Sequence, residues 1–161
     1  MAHQLRREDL GLLDRAGVQV HGRVEIGAPA ARIWPLIADA AAWTSWFNGM
    51  TRAEFTSAAP HGVGSKRTVV VKGLEVTEEV LVFDDQREFG FVVTGANRPG
   101  LAAMVELVTL DATASGTTVT YRQGIDLAPW LRPLSPVVRK ALTKAVTASL
   151  AELARRCETA P

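Results

Sequence analysis

An α+β fold, with one antiparallel meander sheet and a long C-terminal helix, is predicted by three features of the sequence. Residues 18–27, "VQVHGRVEIG", alternate apolar and polar side chains as a half-buried strand does. Between Ala53 and Gly124, apolar segments are separated by turn-rich punctuation: "PHGVG", "KGL", "DDQ", "ANRPG" and "ATASG". Lastly, Val138, Leu142, Val146, Leu150, Leu153 and Cys157 recur at four- and three-residue steps, one apolar stripe along a helix.

In chain order, "LRREDLGLLDRA" at 5–16 is expected to form a short helix stopped by Gly17. The strand at 18–27 places Val18, Val20, Gly22, Val24 and Ile26 on one face. A helix follows with Pro29 at its first position and Ile33, Trp34 and Ile37 on its buried side. Pro35 lacks an amide donor and is expected to bend or shorten it. A second short helix is predicted over Ala40–Phe47, ending at Asn48–Gly49. Strands are then expected near 51–57, 65–73, 74–83, 87–95, 101–111 and 116–125, close enough together for hairpins. Ser135 as N-cap and Pro136 at the first helical position open the final helix. The chain reads as an N-terminal extension, 1–17, and a single domain, 18–161.

Composition narrows the function classes. With 47% hydrophobic and 22% charged residues the chain is an ordinary globular protein. Its 18 basic and 17 acidic residues leave no electrostatic case for a nucleic-acid partner. No signal-like or membrane-spanning apolar run is present, so stable membrane insertion is not expected and a cytoplasmic location is. The single cysteine, Cys157, excludes an internal disulfide and reads as a buried helix position. Arg139, Lys140, Lys144, Arg155 and Arg156 on the last helix read as a solvated face. Nothing in the sequence sets the oligomeric state.

A strand, two short helices, a six-strand meander and a long helix is the order of the helix-grip fold. The stretch "VEIGAPAARIWPLIADAAAWTSWF" resembles the opening of the polyketide cyclase/dehydrase group of the START-like (Bet v 1-like, SRPBCC) superfamily. The resemblance is carried by Ala28-Pro29, Ile33-Trp34, Asp39 and Trp46. Gly62-Val63-Gly64 before a strand, "GTTVTY" at 116–121 and the leucines of the final helix are similar too. It covers about residues 18–157. It implies a helix-grip fold, a curved antiparallel meander sheet wrapped around the long C-terminal helix with a cavity between them, in a group whose members bind sterols, lipids, quinones, polyketides or plant hormones. Some cyclise or dehydrate aromatic polyketides, and others are chaperone activators, so fold leaves function open.

Alternation identifies the expected cavity wall. Inward positions are Val119, Tyr121 and Gln123 in 116–125; Ala103, Val105 and Leu107 in 101–111, with Glu106 outward; and Val76, Glu78 and Val80 in 74–83. Arg67, Val69 and Val71 are assigned inward in 65–73, and Phe89, Phe91 and Val93 in 87–95. Val138 and Leu142 of the last helix complete the lining. Of the four tryptophans, Trp34 is expected in the core and Trp43 between the two short helices. Trp46 with Phe47 is expected at the cavity mouth, faced by Trp130. Such a wall, apolar with a few polar groups, suits a small hydrophobic or aromatic ligand.

Catalytic signatures are sparse. His3, His21 and His61 have no metal-ligand spacing, so no metal and no cofactor is expected. No serine sits in a GxSxG turn, "GVGSK" lacks the phosphate-loop pattern, and Pro133–Pro136 marks a helix start rather than a PxxP ligand. If the cavity is catalytic, Glu78 is the acid or base, Tyr121 a proton donor and Arg67 the group that stabilises an enolate. The leading expectation is binding of a lipid, polyketide or quinone-like molecule. The alternatives are a cyclase/dehydratase-like enzyme using the same cavity and an interaction module with a closed core.

Overall fold

Eight strands form one antiparallel sheet, curled around a long helix and two shorter helical segments. The computed structural model describes residues 2–159. The strands are β1 (His3–Gln4), β2 (Val18–Ile26), β3 (Met50–Phe55), β4 (Lys66–Val71), β5 (Leu74–Asp84), β6 (Glu88–Ala96), β7 (Leu101–Thr113) and β8 (Gly116–Leu127). The helices are α1 (Leu12–Arg15), α2 (Ala30–Ala38) and α3 (Ser135–Thr159), with 3-10 turns at Ala41–Ser45 and Pro129–Leu134. The sheet order is β2-β8-β7-β6-β5-β4-β3, with β1 added beside β6. The six-strand meander and the helix-grip order therefore form as the sequence predicts.

Three local expectations are corrected. The helix expected over 5–16 forms only at Leu12–Arg15, because the preceding residues are drawn into the sheet. β6 and β7 pair only from Glu88↔Thr109 to Val92↔Val105 and then diverge. His3 and Gln4 pair with Ala96 and Gly95, and the amides of Leu5 and Arg6 donate to Thr94 and Ala102, filling that gap. Tertiary pairing overrides helix propensity here. α2 continues through Pro35 to Ala38, and Pro29 is its N-cap residue rather than its first helical one. Ser135 is already helical, and its hydroxyl donates to the Arg132 carbonyl instead of capping α3.

The placement of α3 decides the interior. Its 25 residues span roughly 37 Å, and Val146, Leu150, Leu153 and Cys157 are buried as the stripe predicts. The helix lies against edge strand β2, where Gly22 leaves room: a Cβ there would stand 2.6 Å from Val146 Cγ1 and 2.9 Å from Leu150 Cδ1. Buried Ser149 accepts the Asn48 amide at 2.9 Å and donates to the Ala145 carbonyl, fixing the turn after the 3-10 segment. Packing α3 on one edge leaves the concave surface of β4–β8 without a full helical cover.

Candidate functional site

A cavity of about 340 Å³ occupies this uncovered space. Its wall is built from alternate positions of five strands. β4 contributes Arg67, Val69 and Val71; β5 contributes Leu74, Val76 and Glu78; β6 contributes Phe91 and Val93. β7 adds Leu101, Met104 and Glu106, and β8 adds Tyr121, Gln123 and Ile125. Trp43, Phe47 and Met50 close one side, Lys72 stands at the β4–β5 turn, and Val138 and Leu142 of α3 form the roof. The lining is graded. Arg67, Glu78, Phe91, Glu106, Tyr121 and Gln123 are all buried, whereas Val71, Leu74, Leu101, Met104, Val138 and Leu142 are partly exposed and Lys72 is exposed. The cavity thus has a polar blind end and an apolar mouth.

Sheet register assembles the blind end. Arg67 and Glu78 are direct cross-strand partners on β4 and β5, so their side chains share one face. Arg67 Nε donates to Glu78 Oε2 in a buried ion pair. Glu106 lies opposite Gln123 and diagonal to Tyr121. Its Oε2 accepts from the Tyr121 hydroxyl and, at 3.2 Å, from Gln123 Nε2. Burial, reinforced by the neighbouring Glu78 charge, pushes the Glu106 carboxyl up to about 7. Burial also raises Glu78, against the opposing pull of Arg67, and holds the Tyr121 phenol well above its usual range.

Three polar atoms at this end have no protein partner among the described residues: Arg67 Nη1, Arg67 Nη2 and Gln123 Oε1. The guanidinium carbon lies 4.2 Å from the Phe91 ring centroid, 4.6 Å from Trp43 and 5.1 Å from Phe89. Aromatic faces stabilise the cation, but among the described residues no oxygen or nitrogen accepts from its two amino groups. A buried donor left unpaired costs on the order of 1–3 kcal/mol. The blind end therefore has capacity for one further oxygen-bearing group, with donors on Arg67 and an acceptor on Gln123.

The structure brings together twelve of the predicted lining residues: Phe47, Arg67, Val69, Val71, Val76, Glu78, Phe91, Val93, Tyr121, Gln123, Val138 and Leu142. It moves the others. Val80, Phe89 and Val119 are buried in the core outside the cavity lining. Ala103, Val105 and Leu107 lie on the opposite face of β7, packed with Leu12, Leu13, Ala16 and Val92. The expected phase of β7 is thus reversed, because residues 10–16 cover the convex side and make its apolar set a second core. Trp46 is buried, not at the mouth; its indole nitrogen donates to the Leu36 carbonyl at 2.9 Å while its ring packs on Trp43 at 4.6 Å. Trp43 takes the cavity position, anchored by its own bond to the Ile37 carbonyl at 2.8 Å. Trp130 is exposed to solvent and does not line the cavity. Trp34 is in the core as expected, edge-on to Phe83.

Glu106 is the main omission of the sequence reading, which assigned it outward. The turn "ATASG" contains the signal that locates it. Pairing Thr113 with Gly116 across a two-residue turn puts Glu106 opposite Gln123, and directly opposed residues share a face. An inward Gln123 therefore requires an inward Glu106.

The model of the polyketide cyclase/dehydrase and lipid transport family matches residues 17–158. Uncharacterized proteins of Mycobacterium tuberculosis and Mycobacterium bovis are 25% identical over 150 residues, covering 92% of this chain and 90% of theirs. A crystal structure from Thermus thermophilus superposes with a TM-score of 0.72 at 18% identity, covering 86% of this chain and 96% of that one. The di-domain ARO/CYC BexL from the BE-7585A biosynthetic pathway superposes with a TM-score of 0.73 at 14% identity, over 94% of this chain and 54% of BexL. At those identities the two structural likenesses establish the fold alone.

Proposed function

The chain belongs to the polyketide cyclase/dehydrase and lipid transport family, and on that premise we propose that it binds a hydrophobic small molecule, polar end first, in the cavity between β4–β8 and α3. The observation that carries this reading is the unpartnered Arg67 fork and Gln123 carbonyl at the blind end of an otherwise apolar cavity. Its volume falls in the range of small-molecule sites. Charge selects the head group. Arg67 is already balanced by Glu78, and Glu106 holds a proton up to about pH 7. A fully charged head would add an uncompensated buried charge. A hydroxyl or carbonyl accepts from Arg67, and a hydroxyl also donates to Gln123, without that cost. The ligand class is therefore an apolar or aromatic molecule with a neutral oxygen at one end, as in many polyketides, quinols and lipid alcohols.

Paired titrations of 1-naphthol and naphthalene into delipidated protein, followed by tryptophan emission, test the reading. Hydrogen bonds to a charged donor contribute about 1.5–3 kcal/mol, so 1-naphthol binds at least about tenfold tighter. Equal affinities refute the head-group assignment, and binding of neither ligand refutes the cavity.

Glu106 favours a second reading, proton transfer to or from an enolisable substrate. A carboxyl titrating near neutrality beside a phenol is suited to general acid–base work. In that case Glu106→Gln eliminates deuterium exchange at the central carbon of a bound 1,3-diketone while leaving its affinity intact. Exchange that persists in the variant excludes the role.

A further inference from the structure

We infer that the turn Pro129–Leu134 and the first turns of α3 form a docking surface for an anionic phospholipid membrane, placed beside the cavity mouth. Among the described residues four large hydrophobic side chains are exposed, and three of them are here: Trp130 at 65%, Leu134 at 48% and Val137 at 66%. They fall within eight consecutive residues, on the 3-10 turn and the first turn of α3. Val137, Lys140 and Lys144 then share one face of α3, opposite the buried stripe of Val146, Leu150 and Leu153. Monomeric proteins scatter single exposed apolar residues freely, but three clustered on one short segment call for a partner.

Charge identifies that partner. From Ala128 to Ala151 the chain carries Arg132, Arg139, Lys140 and Lys144 and no acidic residue. The rest of the sequence, 14 basic against 17 acidic residues, is net −3, so a nearly neutral protein concentrates its positive charge on this element. The nearest carboxylate before it, Asp126, is held by Arg6 and by the Gly17 amide. Lys72, which lines the cavity from the β4–β5 turn, and Arg98, which approaches Gly73 of the same turn, add positive charge to the rim. A tryptophan and two aliphatic residues interleaved with lysines and arginines is the composition of a surface lying in the headgroup layer. No described helix is long and apolar enough to cross the bilayer, so the segment lies on it.

Position ties docking to the cavity. Val138 and Leu142, which roof the mouth, alternate in sequence with Val137, Lys140 and Lys144 of the exposed face. A membrane-bound protein therefore presents its opening next to the lipid headgroups. The polar blind end then lets an amphipathic molecule enter head first while its apolar part leaves the bilayer last.

Trp130 supplies the assay, because Trp34, Trp43 and Trp46 are all buried. The full-length protein, without cavity ligand, is mixed with phosphatidylcholine vesicles with or without about one-third phosphatidylglycerol. Docking appears as co-sedimentation with a blue shift and quenching of emission by brominated acyl chains. All three are restricted to anionic vesicles and reversed by about 0.5 M salt. Trp130→Phe removes the spectral change. Each lysine near an anionic surface is worth about fivefold in binding, so Lys140→Gln with Lys144→Gln weakens it roughly 25-fold without altering thermal stability. Absence of co-sedimentation at low salt, equal binding of the double variant, or retention on heparin without vesicle binding overturns the proposal. Uptake of 1-naphthol in the absence of vesicles reads the cavity separately, so the two readings fail independently.

Discussion

Glu106→Gln is the sharpest test of the buried network. The Glu106 carboxyl is held at about 7 in the folded chain against an ordinary 4.5. Below pH 4.5 both folded and unfolded chains are protonated there, and burial of this group costs nothing extra. As pH rises from about 4.5 to 7 the unfolded chain releases its proton first, so the folded state loses stability across that window. A difference of about 2.5 pH units corresponds to about 3 kcal/mol, at 1.36 kcal/mol per unit. Glutamine cannot ionise, keeps the size, and still accepts from Tyr121. The variant is therefore equal to the parent or about 1 kcal/mol weaker at pH 5, and more stable by up to about 3 kcal/mol, less that loss, at pH 8. Urea unfolding at the two pH values, followed by the buried tryptophans, measures the difference. With a slope of about 2 kcal/mol/M the variant midpoint gains about 1.5 M relative to the parent between pH 5 and 8. Titration of Glu78 is present in both proteins and largely cancels. Midpoints that move in parallel show that Glu106 does not titrate in a buried site and refute its raised carboxyl.

Two further perturbations probe the frame around the site. Arg67→Met strands Glu78 in the interior and is expected to cost about 3–5 kcal/mol, whereas adding Glu78→Leu returns most of it; urea midpoints of the single and double variants distinguish the two. Gly124→Ala places a Cβ 2.6 Å from the Leu12 carbonyl oxygen, so α1 must shift on the convex face. The expected cost is about 1–3 kcal/mol, with faster amide exchange at Leu13 and Ala16 than in the parent; unchanged exchange there shows that α1 does not depend on this contact.

The strand order was legible because hairpin punctuation is local. "KGL" and "ATASG" lie within a few residues of the pairs they create, Val71↔Leu74 and Thr113↔Gly116. The face of each strand was legible only where one side meets water. In β4 the polar and apolar sets separated and Arg67, Val69 and Val71 were placed correctly. In β7 both faces are covered, the outer one by Leu12, Leu13 and Ala16, so the more apolar set pointed to the wrong side. The tryptophans failed for a related reason. Trp43 and Trp46 differ by three positions in a 3-10 segment, and both indoles reach α2 carbonyls. Which ring meets Arg67 depends on how that segment sits over the sheet, a tertiary fact with no local signature. The N-terminal pairing was hidden as well, since the divergence of β6 and β7 that admits it arises from sheet curvature.

Sheet curvature alone does not produce the cavity; residue size and the offset of α3 do. A helix about 10 Å wide covers roughly two strands spaced at about 4.8 Å, and Gly22 seats α3 over the β2 edge. Large side chains on β4–β6 would fill the remaining space, yet the facing positions hold Val69, Val71, Val76 and Val93. The aromatic bulk is concentrated instead at the blind end, where Trp43, Phe89 and Phe91 surround Arg67. For stability alone, that arrangement is a poor one. A buried ion pair is commonly matched or bettered by well-packed apolar residues, and two idle guanidinium donors add a desolvation cost that no protein contact offsets. Under the proposed function a ligand oxygen pairs the donors that no protein group accepts. That proposal predicts discrimination, because a molecule without the oxygen displaces water from these donors and leaves them unpaired. The polar atoms that contribute least to packing are, on that proposal, the ones that select the ligand.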